Sequence, residues 1–105
     1  MAEYTSRLSL PLVGLPPEAV STAARAALAA DARTLEARPD PEWCLRPDEV
    51  KHVTVAIRFA APSAHAARQI ASDLHDKALQ SVLASIPPTH EQGWTSGFED
   101  PEPAP

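Results

Sequence analysis

Cysteine is nearly missing from this chain: Cys44 stands alone among 105 residues. One cysteine can close no internal disulfide and build no thiolate zinc cage within one chain. It points to a reduced, cytoplasmic setting. Glycine is almost as scarce, with Gly14, Gly93 and Gly97 the full set. Loops that cradle phosphate need several glycines so that backbone N–H groups can approach it, and nucleotide binding of that kind is excluded. Basic residues are outnumbered, giving a net charge of -5 and no basic patch of the sort a nucleic-acid binder carries. No apolar run approaches the ~20 residues of a membrane span. Residues Met1 to Arg7 contain no apolar signal core.

Catalytic constellations are missing as well. In Gly93-Trp94-Thr95-Ser96-Gly97 the serine sits off-centre between the glycines, unlike a nucleophile elbow, and the stretch reads as loop. The histidines are His52, His65, His75 and His90. His65 and His75 share one predicted helix but stand about 80° and ~15 Å apart on it, too far to hold one metal ion. His75 and Asp76 are adjacent on that helix and do not face each other. Serine–histidine–aspartate triads are assembled in space, and no spacing here points to one. Cys44 reads as a packed thiol, since free cysteine is among the most buried residue types. The chain is therefore read as having no catalytic residue, no metal site and no cofactor.

What is present is one clear pattern. In Val50 to Ala61 the residues Val53, Val55, Ile57 and Phe59 alternate with His52, Thr54, Ala56 and Arg58. A period of two places these sets on opposite faces of a strand. One face is apolar and the other mixed, as in an antiparallel strand covered by helices on one side. Tyr4 to Val13 predicts a first strand with Leu8, Leu10 and Leu12 inward, ending, bulging or lying at an edge near Pro11.

Pro16-Pro17-Glu18 opens an alanine-rich helix running to about Arg33, proline and an acidic residue both suiting a first turn. Thr34 to Glu42, with Pro39 and Pro41, reads as loop. Glu42 to Arg46 reads as a short second strand, turned by Pro47-Asp48-Glu49 into the main one. Ser63 is a good N-cap for a second helix extending to about Ile86, where Pro87-Pro88 stops it. Ala67, Ile70, Ala71, Leu74 and Ala78 make its apolar stripe.

These elements imply one α+β domain over residues 1–88 and a C-terminal segment, 89–105, with an acidic, proline-rich end. Strand, helix, strand, strand, helix, with a possible short final strand, predicts a ferredoxin-like sandwich: an antiparallel sheet with two helices on one face. In element order and alanine-rich composition, residues 4 to 86 resemble small ferredoxin-like proteins of unknown function from actinobacteria and their phages. That resemblance carries no functional residues with it.

The outward residues His52, Thr54, Ala56 and Arg58 include no aromatic on which an RNA base would stack. Thr54 and Ala56 are small enough to let another sheet approach. Trp94 and Phe98 are out of place in a segment otherwise composed like a solvated tail. They imply that Gly93 to Glu99 docks, on its own sheet edge or on a partner, while the acidic and proline residues after Phe98 stay in solvent. The expectation is a non-enzymatic protein-interaction module, homodimeric, with Trp94, Phe98, His52, Thr54, Ala56 and Arg58 as interaction residues and a protein partner in view. The alternative is a small-ligand-binding regulatory module at a dimer interface.

Overall fold

The structure, a computed structural model, describes residues 1–12, 15–40, 52–84 and 96–105. In chain order these form β1 (Ala2–Pro11), α1 (Pro17–Ala29), β2 (Thr34–Pro39), β3 (His52–Ala61), α2 (Ala64–Leu83) and two-residue strands β4 (Gly97–Phe98) and β5 (Glu102–Pro103). The sheet runs β2-β3-β1, with β4 and β5 both against the remaining edge of β1. Every pairing is antiparallel. This is the ferredoxin-like α+β sandwich.

The central pair sets the geometry. β1 and β3 are matched over their whole lengths, from Ala2 opposite Ala61 to Pro11 opposite His52. Leu8 faces Val55 across the ladder, and Tyr4 faces Phe59. The alternation therefore places Tyr4, Ser6, Leu8 and Leu10 on the same face as Val53, Val55, Ile57 and Phe59. That face meets α1 through Val20, Ala24 and Leu28 and α2 through Ala67, Ala71, Leu74, Ala78 and Val82, all buried. Val53 and Ile70 are half-buried at its margin. Tyr4 stacks on Phe59 with ring centroids 6.4 Å apart.

Pro11 occupies the last position of β1, where a missing N–H breaks no ladder beyond it. Ser63 caps α2, its hydroxyl accepting from the Ala66 N–H at 3.1 Å. α1 stops at Ala29, four residues earlier than its alanine content implies, because Asp31 builds a turn. The Asp31 carboxylate accepts from the Arg33 backbone N–H at 2.9 Å and from the Arg33 and Lys77 side chains. Local side-chain bonding of this kind competes with helix continuation. Those donors hold the Asp31 carboxyl well below the usual carboxylate range.

Two further boundaries differ from the sequence reading. Thr34–Pro39, expected as loop, is the edge strand β2. Its inward residues, Thr34 and Ala37, are too small to register as an apolar stripe, and Pro39 is tolerated because it sits at an edge. Glu102 and Pro103, expected in solvent, are exposed as expected, but their backbone forms a two-residue strand opposite Thr5 and Tyr4. The predicted strand Glu42 to Arg46 and turn Pro47-Asp48-Glu49 lie outside the described residues, as does the region from 85 to 95.

Phe59 has no exposed surface and contacts both the sheet and the helix layer. Phe59→Ala is expected to destabilise the protein by about 3–5 kcal/mol in urea unfolding, the range for deleting a buried aromatic ring. A loss below about 1 kcal/mol would place Phe59 in solvent and refute the register.

Candidate functional site

The same alternation that buries Leu8 and Ile57 sends Thr5, Arg7, Ala56 and Arg58 to the opposite face of the sheet. Among the described residues no helix covers that face. β2 adds Glu36 and Arg38, which pair with Arg58 and Ala56 across the ladder. Glu99 and Glu102 border it from the C-terminal side. The result is a basin of about 360 Å³ with small residues at its floor and charges of both signs around it.

The charges are cross-linked. Arg7 donates through Nε to Asp40 Oδ2 at 3.0 Å and through Nη1 to Glu99 Oε2 at 3.2 Å. Burial disfavours the Arg7 charge, but the hydrogen bonds to Asp40 and Glu99 outweigh it and raise its pKa. Arg58 lies 3.4 Å from Glu3 and 3.7 Å from Glu36, and Arg38 lies 3.5 Å from Glu36. These side chains are substantially exposed, so each pair contributes on the order of 0–1 kcal/mol to stability. Their lasting effect is a fixed pattern of alternating sign.

The expected interaction residues do not all meet here. Thr54, Ala56 and Arg58 share this face, with Arg58 exposed, Ala56 half-buried and Thr54 buried at 6% exposure. His52 lies on β3 opposite Pro11. Trp94 is outside the described residues. Phe98 pairs with Leu8 and so points to the helix side, away from the basin. Sequence reading missed Glu36, Arg38, Asp40 and Glu99. The alternation of Glu36 and Arg38 was a usable signal; the partnership of Arg7 with Glu99, 92 residues away, was not.

On the helix side, Phe98 straps the C-terminal segment to α2. Its ring centroid is 6.0 Å from that of His75 and 5.9 Å from the Arg68 guanidinium, which also pairs with Asp100. The Ser6 hydroxyl donates to the Glu99 carbonyl at 2.5 Å, and the Glu99 N–H donates to the Arg7 carbonyl at 2.8 Å. His75 is 7% exposed and its Nε2 makes no hydrogen bond. Burial lowers its pKa from 6.5, with Asp76 and the Ser9 backbone opposing the shift; Asp76, expected to face away, reaches Nδ1 at 3.5 Å. A buried imidazole kept neutral against an aromatic ring is a packing group here.

Among the described residues no three histidine, cysteine or carboxylate side chains cluster as a metal site would require. No helix among them is long and apolar enough to cross a membrane. No family model, curated protein or solved structure matches the chain.

Because the folded state holds His75 neutral, the unfolded chain binds the extra proton as pH falls past 6.5. Folding stability should therefore fall on acidification through that value and level off below the lowered pKa of the folded protein. Urea unfolding between about pH 7.5 and about pH 5 should show a shallower decline for His75→Leu than for the natural chain. Identical slopes would mean His75 is solvated.

Proposed function

We propose that the protein is a non-enzymatic interaction module of a bacterium or phage, which pairs with itself and presents the open sheet face to a protein partner. The observation that carries this reading is the set of opposite charges, Arg7, Arg38 and Arg58 against Glu36, Glu99 and Glu102, held around small residues on a face that no helix covers among the described residues. Complementary charge across a protein interface favours specificity and encounter rate. Among the described residues this face carries no aromatic platform of the kind that would suit nucleic acid. Self-pairing is supported by exposed Leu35, 51% accessible on the edge strand β2. The lone cysteine suits a reducing, cytoplasmic setting.

A second reading is favoured by the basin itself. Its volume, about 360 Å³, matches a small ligand's site, and its guanidinium and carboxylate groups suit a ligand bearing both charges. Such a ligand, binding only the folded state, would raise the melting temperature in a screen of small zwitterions and anions.

Light scattering on purified protein, diluted about a hundredfold from the millimolar range, should give a dimer mass down to micromolar concentration. A monomer mass throughout would defeat the self-pairing reading.

A further inference from the structure

The edge strand β2 carries a pattern that matches its own reverse. Glu36, Ala37 and Arg38 read acidic, small, basic. Glu36 and Arg38 lie on the open face, opposite Arg58 and Ala56, while Ala37 lies on the helix side opposite Ile57. Among the described residues β2 has a neighbour on one side only, β3. The Asp40 N–H donates inward to the Thr54 carbonyl at 2.9 Å. Backbone direction alternates along a strand, so Arg38 and Glu36 also point inward to β3, and the Ala37 N–H and C=O point outward, away from the sheet.

We infer that two copies of this chain join along β2, antiparallel, with Ala37 on the twofold axis. This rests on the self-pairing reading above and names its geometry. In that register Ala37 meets Ala37 of the second copy and the two exchange both backbone hydrogen bonds. Glu36 then stands opposite Arg38 of the second copy and Arg38 opposite its Glu36, two symmetry-related pairs of opposite charge. Exposed Leu35 comes beside exposed Pro39 of the second copy. On the helix side, the groove between α1 and β2 is lined by Thr22, Ala26, Ala29 and Ala37 together with the longer Arg25 and Leu35.

The devices that ordinarily protect an edge here limit the pairing rather than forbid it. The irregularity between Thr34 and Glu36 and the missing donor of Pro39 end the pairing on either side of Ala37. An isologous contact consumes both β2 edges and leaves none for a third copy. At the far edges lie β4 and β5, each two residues long, with Pro101 and Pro103 at β5. The assembly therefore closes as a dimer with one continuous sheet, its two basins flanking the seam through Glu36 and Arg38.

Cross-linking tests the register directly. Residues 36 and 38 of opposite copies would form a non-hydrogen-bonded pair with Cα atoms about 4.5 Å apart, within disulfide range. On a Cys44→Ser background, Glu36→Cys and Arg38→Cys chains mixed and oxidised should give a disulfide-linked dimer, and neither chain alone should. Charge reversal gives a second readout by light scattering. Glu36→Arg or Arg38→Glu alone should raise the dissociation constant about tenfold, and the double reversal should restore it. If the natural chain is dimeric but the mixture fails to cross-link, or either chain cross-links as well alone, the register is wrong while self-pairing stands. If the natural chain is monomeric at millimolar concentration, both fall.

Discussion

The ladder between β1 and β3 is the constraint on which the molecule depends. Ten residues face ten without an interruption, and both strands sit between other strands. Once Leu8 is opposite Val55, every other side chain on the two strands is assigned to a face. The helix-facing set forms a core with no exposed surface at Leu8, Leu10, Val55 or Phe59. The other set carries Arg7 and Arg58, whose charges would be costly on the buried side. A slip of one residue would exchange the two sets, so the hydrophobic core and the charged basin are consequences of one register.

The helices answer this sheet with small side chains. α1 contributes only Val20, Ala24 and Leu28 to the buried layer. α2 contributes mainly alanines around Leu74 and Val82. Small residues let the helices lie close to one another, and the Ser81 hydroxyl reaches the Ala23 carbonyl across the gap at 3.2 Å. The core's bulk comes from the strands instead, above all Phe59, Leu8, Leu10 and Ile57.

What could be read in the sequence follows from this division of labour. β3 was legible because its inward residues are large and branched and its outward ones are not. α2 was legible from Ser63 and its stripe. β2 was not, because it has no fully buried residue and Ala37 and Thr34 add little apolar signal. Of the site, Thr54, Ala56 and Arg58 could be assigned to the outer face from alternation alone. Glu99 and Asp40 could not, because their bonds to Arg7 span 92 and 33 residues and depend on where the chain returns. Phe98 was recognised as out of place in a polar tail, yet its face depends on the pairing with Leu8, which no local pattern encodes.

The position of β4 and β5 also bears on how the chain reaches its final form. β1 is made before the other elements described, and its outer edge is covered by residues synthesised about ninety positions later; Ser6 and Glu99 are 93 apart. The central ladder itself joins segments some fifty residues apart. Such high contact order slows folding, because loop closure must precede the contacts that reward it. During synthesis β1 therefore spends an interval with its outer edge unpaired, even after β3 has joined it. An unpaired edge is a template for another strand. The nascent chain is thus most vulnerable to mispairing in the window between emergence of β3 and emergence of residues 97–103.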